Sequence, residues 1–333
     1  MRIGAGWKFV CAGIAAAIIL TALLWGPGLY RSTMNAKYCA LAWKLSQDGS
    51  DQAALAAAER AAAMRPDHDK AWHLKGLILL KLGRPEEAVE ALEQAVRHGP
   101  DNGRAWRDKG SALAMLNRDQ EALGAYQSAT RCRPERADAW YGKGVILRRL
   151  GRPGEALAAL HRATDLAPEY REAWQAETLV LAELGRDEET VAAAHRALGL
   201  APRSAVLWCE KAIALAKLGR YDEALTAFDT STQLNPRHAR SWSGLASLNL
   251  EMGRDLPALA AAGEAIKLDA DDAFSWYVKA AALCRTGQPE PALTALRRAV
   301  SLDDTYREKA RRDSSTHFSK LEGTDAFRQL VRW

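Results

Sequence analysis

Two histidines and two pairs of acids are the side chains whose types and spacing could do chemistry. His161 and His195 lie 34 residues apart, and two imidazoles on one face of a protein could bind a metal ion. A zinc site needs more protein ligands than this pair supplies, so we interpret both histidines as solvated surface residues. Glu86-Glu87 and Glu188-Glu189 would lie in the first turn of helices, where carboxylates complement the helix dipole.

The sequence contains no motif of a common catalytic or cofactor site. The glycine-rich signatures GxGxxG and GxxxxGK, the nucleophile motif GxSxG and the zinc motif HExxH are all missing. The cysteines have no CxxC spacing, and we interpret them as small buried apolar residues: Cys11, Cys39, Cys132, Cys209 and Cys284. We therefore expect a protein that is not an enzyme and that uses no metal and no cofactor.

The distribution of charge argues against nucleic acid as a partner. The 333 residues carry a formal net charge of +5, and residues 1–34 hold three basic side chains and no acid. The rest of the chain has 43 basic and 41 acidic residues. Charges so evenly balanced create no strong field that would attract a polyanion.

The elements that position the polar side chains come from a 34-residue repeat. Tryptophans recur at that interval, at Trp72, Trp106, Trp140, Trp174, Trp208, Trp242 and Trp276. Prolines recur at the same interval, at Pro66, Pro100, Pro134, Pro168, Pro202 and Pro236. Together with the glycines, leucines and alanines between them, as in the stretch Ala139–Pro168, this pattern resembles the tetratricopeptide repeat family.

Each unit has the signals of two helices joined by a tight corner. Glycine recurs at the corner, at Gly49, Gly83, Gly151, Gly185, Gly219, Gly253 and Gly287, and Asn117 replaces it once. Both residue types can adopt the left-handed conformation that ends a helix. An acid or a proline, such as Asp51 or Pro85, follows two residues later and favours a helix start. The helices must therefore form antiparallel hairpins. In six units an arginine follows the corner residue, and we expect it to make structural contacts there: Arg84, Arg118, Arg152, Arg186, Arg220 and Arg254.

The resemblance implies an all-α fold, a right-handed solenoid of tandem helix hairpins. Eight units would run without a gap over residues 35–306, between an N-terminal segment 1–34 and a C-terminal segment 307–333. In proteins that look like this, the first helix of each unit lines a concave groove. Carried over position by position, the groove of units two to four contains a set of basic and aromatic side chains: Lys70, His73, Lys81, Arg104, Arg107, Tyr141, Arg148 and Arg149.

These groove positions predict a protein or peptide partner for a non-catalytic scaffold. Arginine forks, with Tyr141 as a stacking surface, would bind an acidic or carboxylate-bearing segment. The competing interpretation is that the same residues are ordinary solvated side chains on exposed helix faces. Relatives that clamp the acidic tails of heat-shock chaperones use asparagines that this chain lacks at the corresponding positions, so we do not expect that partner.

An apolar run without charge, Phe9–Tyr30, precedes the repeats. As a helix it would be about 33 Å long, enough to span a hydrocarbon core of about 30 Å. Arg2 and Lys8 precede the run, so we predict a single-pass signal anchor with the repeats on the extracytoplasmic side. A cleaved signal peptide and a buried core helix are the alternatives.

The C-terminal segment is predicted to cap the last repeat. Phe318, Leu321, Phe327 and Leu330 follow one another at helical spacing and would cover the apolar face that the last repeat leaves open. The alternative is a binding tail, Phe318–Trp333. In that case the chain would be a structural or assembly subunit that self-associates through this tail or through its end repeats.

Overall fold

Helices make up the regular structure of the residues that the computed structural model describes, which are 26, 28–29 and 31–332, and these residues contain no β-strand. Residues 31–47 form a first helix, α1. The remaining helices are α2 Asp51–Met64, α3 Asp69–Lys81, α4 Pro85–His98, α5 Gly103–Met115, α6 Asp119–Cys132, α7 Ala137–Arg149, α8 Pro153–Leu166, α9 Arg171–Glu183, α10 Asp187–Leu200, α11 Ala205–Lys217, α12 Tyr221–Leu234, α13 Ala239–Glu251, α14 Asp255–Leu268, α15 Ala273–Arg285, α16 Pro289–Leu302, α17 Thr305–Arg312 and α18 Asp325–Val331. The predicted all-α class is confirmed.

The chain forms two compact units that divide between Ala167 and Pro168. In the first unit α3 pairs with α4, α5 with α6 and α7 with α8, and in the second unit α9 to α16 pair in the same way. Within each unit the first helices of successive pairs touch one another, and each second helix packs against the first helix of the next pair. Each unit is therefore a stack of helix hairpins, and its first helices form a common wall, which we call the first-helix face.

The corners between paired helices have the predicted conformation. Each corner glycine has a positive φ, between 67° for Gly185 and 82° for Gly287. Asn117 has a φ of 57° and is the one described residue other than glycine with a positive value. Glycine has no Cβ to clash there, and asparagine tolerates the conformation better than most residues, so local backbone sterics explain this part of the repeat pattern.

The arginine after the corner makes the structural contact that we expected. Arg84 Nε and Nη2 donate to the two carboxylate oxygens of Glu87, each at 2.6 Å. The same forked pair occurs at Arg118–Glu121, Arg152–Glu155, Arg186–Glu189 and Arg220–Glu223. The hydrogen bond from Arg84 lowers the pKa of Glu87. Because exposed ion pairs contribute little to stability, the main effect of these pairs is to order the first turn of each second helix.

The tryptophan and proline positions of the repeat are joined by one hydrogen bond. In the second to the eighth repeat, the indole Nε1 of the recurring tryptophan donates to the backbone carbonyl six residues earlier, at 2.8 to 3.0 Å. The acceptor belongs to proline in six repeats and to Ala270 in the last. The bond therefore ties each first helix to the loop before it, and it does so without requiring proline itself.

Glycines permit close approach between a first helix and the second helix before it. A Cβ added at Gly142 would lie 2.3 Å from Cε1 of Tyr126, and one at Gly244 would lie 2.5 Å from Cε1 of Phe228. Carbon atoms do not approach so closely, so a larger residue would displace the ring or the helix. Tyr126 and Phe228 are buried by this packing.

The C-terminal segment packs on the last repeat, as the capping interpretation predicts. Phe318, Leu321 and Phe327 are buried. The Phe318 ring lies edge-on to Tyr277 of α15, with ring centroids 5.6 Å apart, and it also packs against Phe327 at 5.8 Å. This packing covers the end of the second unit and leaves the three apolar side chains inaccessible to a partner.

The predicted membrane-spanning run lies almost entirely outside the described residues. Of Phe9–Tyr30, only residues 26, 28 and 29 are described, and all three are helical. Among the described helices, none combines the length and the apolar character that a membrane span requires.

Candidate functional site

A cavity of about 1000 Å³ opens on the first-helix face of the first unit, and we call it the basic cavity. Side chains from α3 and α5 form its walls, and residues 98–102, the segment after α6 and Trp43 of α1 complete it. Four of the predicted groove residues line this cavity together: Lys70, His73, Arg104 and Arg107. The other four predicted residues, Lys81, Tyr141, Arg148 and Arg149, lie outside its lining.

A network of paired charges forms the inner part of the basic cavity. Asp108 is only 5% exposed; its Oδ1 accepts from Arg107 Nε at 2.8 Å, and its Oδ2 lies 2.7 Å from His73 Nε2. Arg107 also donates to Asp138, which accepts a further hydrogen bond from Arg136. Burial opposes ionisation of Asp138, but the two arginines outweigh it and lower its pKa to about 2. These charges therefore neutralise one another and hold the walls in place.

The rim of the basic cavity carries exposed cations that are not paired with acids of the described chain. Lys70, Arg104 and Arg133 line the cavity and are exposed. Within the described part of the chain, none of the three has a hydrogen-bond or ion-pair partner. Two carboxylates line the cavity beside them, the exposed Asp101 and the half-buried Asp69, which accepts a hydrogen bond from Asn102 Nδ2 at 2.8 Å, so three cations face two carboxylates. This excess of positive charge can attract a carboxylate-bearing ligand.

Lys81 and Arg149 join neighbouring repeats. Lys81 Nζ donates to the Ser46 carbonyl at 2.6 Å and to Asp51 Oδ1 at 2.8 Å. Arg149 makes the equivalent contacts two repeats later, to the Ala114 carbonyl, Asn117 Oδ1 and Asp119 Oδ1. Both side chains are thus bound to the corner of the preceding repeat, so we do not include them in the ligand-binding surface. Tyr141 is half-buried and Arg148 is exposed, and both lie on α7.

Trp43 is a cavity residue that the sequence analysis missed. Its side chain is 56% exposed and lines the basic cavity from α1. The sequence could have singled out Trp43, because neither the repeat nor the apolar run explains it. It does not fall on the 34-residue tryptophan interval, and it lies outside Phe9–Tyr30. An exposed indole beside free cations gives a ligand an apolar surface as well as charge.

Comparison with protein-family models agrees with the hairpins and corners described above. A model described as "Tetratricopeptide repeat" matches residues 39–93, 73–137, 123–171 and 141–205, and a second model with the same description matches residues 205–238. The chain belongs to the tetratricopeptide repeat family. The overlapping matches cover more than half of its length. A comparison with curated protein sequences gives no match.

Solved structures with the tetratricopeptide fold resemble this chain. A tetratricopeptide repeat protein from Parabacteroides merdae is 20% identical, with a TM-score of 0.53, and the match covers 73% of this chain and 97% of that one. The APC/C hetero-tetramer Cut9–Hcn1 includes a chain that is 16% identical, with a TM-score of 0.54 and coverage of 85% and 53%. MamA is 24% identical, with a TM-score of 0.47 and coverage of 51% and 92%. At such identities the likeness shows the fold alone.

Proposed function

We propose that this tetratricopeptide repeat protein is a non-catalytic scaffold that binds an acidic segment of a partner protein in the basic cavity. The observation that carries the proposal is the group of exposed cations on the rim, Lys70, Arg104 and Arg133, none of which has a carboxylate partner in the described chain. The charges deeper in the cavity already satisfy one another. A ligand would therefore meet rim cations whose hydrogen bonds are still available.

The lining of the basic cavity suits a peptide with acidic and apolar side chains. Arg104 and Arg133 can each present a planar guanidinium group to a carboxylate, and Lys70 can add a point charge. Trp43 and Leu77 provide apolar surface in the same cavity. A segment in which acidic and apolar residues alternate would contact both kinds of surface, and the paired inner network would limit the ordering cost of binding.

A peptide titration on the full chain tests this proposal. We expect a fluorescein-labelled dodecapeptide in which glutamate alternates with leucine to bind at least about tenfold more tightly than the same peptide with glutamine, a difference of about 1.4 kcal/mol. Fluorescence anisotropy in mild detergent measures both affinities. The affinity for the glutamate peptide should also fall as salt is raised, because the rim is exposed to screening ions. Equal affinities for the two peptides would refute the proposal.

We also propose that Phe9–Tyr30 anchors the chain in a membrane, with the repeats on the extracytoplasmic side. The apolar length of this run and its basic residues on the N-terminal side support the proposal. In native membranes washed with alkaline carbonate, the chain should stay in the pellet, and N-terminal sequencing should recover a chain that still contains the run. A soluble chain that begins after residue 28 would show a cleaved signal instead.

Self-association through the C-terminal tail is the less favoured function. The aromatic side chains that would form such an interface, Phe318 and Phe327, are buried in the cap of the second unit. A partner could reach them only if the cap first opened. We therefore prefer the scaffold function, which uses side chains that are exposed already.

A further inference from the structure

A lysine covers the tryptophan ring in most repeats of this chain. Its ammonium nitrogen lies 4.9 to 5.7 Å from the ring centroid in five repeats, in the pairs Lys75–Trp72, Lys109–Trp106, Lys143–Trp140, Lys211–Trp208 and Lys279–Trp276. Two of these lysines also meet an acid sixteen residues earlier in the chain. Lys75 Nζ lies 3.3 Å from Glu59, and Lys109 Nζ lies 3.1 Å from Glu93. Lysine, indole and carboxylate thus form a recurring cluster.

The seventh repeat keeps the tryptophan and the acid but has lost the lysine. Trp242 still donates to the Pro236 carbonyl, at 2.8 Å. Leu245 occupies the position of the lysine. Asp229 lies sixteen residues before it, as Glu59 and Glu93 lie before their lysines. Within the described residues the Asp229 carboxylate has no hydrogen bond and no ion pair. The cluster is therefore complete here except for its cation.

A cavity of about 640 Å³ lies where the cluster is incomplete, between α12, α13 and α14 of the second unit, and we call it the repeat-seven cavity. Asp229, Trp242, Leu245, Asn249 and Gly263 are among the residues that line it. It belongs to the second unit and shares no lining residue with the basic cavity, and the second helices α12 and α14 form much of its wall. It is therefore a different site from the one proposed above for the acidic segment.

Asn249 adds an acceptor at the base of the repeat-seven cavity. The equivalent position is a leucine in all seven other repeats. It is half-buried at Leu45 and buried at Leu79, Leu113, Leu147, Leu181, Leu215 and Leu283. Asn249 is only 3% exposed, and its Nδ2 donates to the Leu245 carbonyl. Its Oδ1 is buried and has no hydrogen-bond partner among the described residues. A buried acceptor without a partner is costly, so a donor entering the cavity would be stabilised.

The rim of the repeat-seven cavity carries three further charges. Glu264 and Lys267 pair with each other at 2.5 Å. Arg254 follows a corner glycine but has Pro257 where most repeats have the glutamate that pairs with this arginine. It lines the cavity with Asp229, and the two form no ion pair in the described part of the chain. Partial burial of its carboxyl group raises the pKa of Asp229, and the positive charge of Arg254 opposes this only in part. The Asp229 carboxylate can therefore still gain from a cation in direct contact.

We propose that the repeat-seven cavity binds a lysine side chain of a partner protein. The lysine stem would lie along Trp242 and Leu245, and its ammonium group would reach the Asp229 carboxylate and Asn249 Oδ1. The other repeats supply the template, because they place a lysine of this chain on the equivalent indole. We expect lysine rather than arginine because lysine is the residue that the other repeats place on the equivalent indole, as a compact ammonium group on a flexible stem.

Indole NMR signals of the full chain, labelled with ¹⁵N-tryptophan, test this inference. The probe is the blocked tripeptide Ac-Ala-Lys-Ala-NH₂ at millimolar concentration, and Trp242→Phe assigns the signal. We expect a saturable shift of the Trp242 signal, with affinity about fivefold weaker when the lysine is Nε-acetylated, since acetylation removes the charge. The Trp208 signal should stay in place, because Lys211 already covers that ring.

Two variants separate this site from non-specific binding. Leu245→Lys should supply the missing cation from the chain itself and abolish the response of Trp242 to the probe. Asp229→Asn, a change at an exposed residue, should weaken the probe about fivefold and keeps the test decisive if the first variant fails to fold. No shift at Trp242, equal shifts with the acetylated probe, or tighter binding of the arginine tripeptide would each overturn the proposal. None of these results depends on whether the basic cavity binds an acidic segment.

Discussion

Replacing Lys70 and Arg104 together by glutamate will weaken binding of the glutamate–leucine peptide about 100-fold. Each replacement removes one charge-assisted contact with a ligand carboxylate, and two such contacts are worth about 2.7 kcal/mol together. The new carboxylates also repel the peptide. Neither wild-type side chain has a partner within the described chain, so the change should leave the fold intact. Anisotropy titration of the full chain measures the loss, and circular dichroism checks the fold.

Arg97→Glu with Arg131→Glu is the matched control for this experiment. Both arginines are exposed on the second helices of the same two repeats, α4 and α6, and the pair changes the net charge by the same amount. Long-range attraction alone would make the two double variants equally weak. We expect the control to change affinity less than about threefold at physiological salt, because neither Arg97 nor Arg131 lines the basic cavity and salt screens charges that do not contact the ligand. Equal losses in the two variants would show that the rim does not contact the ligand.

Phe228→Ala should destabilise the second unit by about 4 kcal/mol. Phe228 is 1% exposed and lies under Gly244, so its removal leaves a cavity that the rigid helix pairs cannot close. Substitutions of buried aromatic residues by alanine cost about 3 to 5 kcal/mol. Urea unfolding followed by circular dichroism should show a lower midpoint for the transition that reports this unit.

Tyr221→Ala on the same helix is the control for the loss of an aromatic ring. Tyr221 is 38% exposed at the start of α12, and we expect its replacement to change the free energy of unfolding by no more than about 0.5 kcal/mol. A loss of less than about 1 kcal/mol for Phe228→Ala would mean that α12 and α13 are not packed through this ring.

The corners of the fold were predictable because local backbone sterics determine them. A left-handed residue between two helices needs glycine or asparagine, so Gly83 and Asn117 identify a corner without knowledge of any partner. The contact of Arg84 with Glu87 was predictable for a similar reason, since both lie in one helical turn. The link between Trp106 and Pro100 was not, because a backbone carbonyl accepts the bond and any residue can supply a carbonyl.

The candidate site was predictable only in outline. Placing Lys70, His73, Arg104 and Arg107 on one face requires only the helical period and the repeat. Which cations are already paired depends on contacts between repeats, so Arg107 and Arg104 could not be told apart from the sequence. Lys81 and Arg149 show the same limit, because their partners include carbonyl oxygens of the preceding repeat.

The incomplete cluster of the seventh repeat was partly visible in the sequence and partly dependent on contacts between repeats. Leu245 and Asn249 depart visibly from the residues at the same positions in other repeats. Their meaning depends on the three-dimensional neighbourhood, since Asp229 belongs to the preceding repeat and the orphan acceptor is one atom of an amide. The repeats of one chain can be compared with one another position by position. An unusual residue in one repeat indicates a binding site only when the structure shows that several such residues line the same cavity.

Site-directed photocrosslinking tests the central claim most directly. The full chain would carry benzoylphenylalanine in place of Leu77, which lines the basic cavity, or in place of Glu90, which is exposed on the second helix of the same repeat. After irradiation with the glutamate–leucine peptide, mass spectrometry should find the peptide attached at position 77 and not at position 90. Equal attachment at both positions, or attachment at position 90 alone, would contradict binding in the basic cavity.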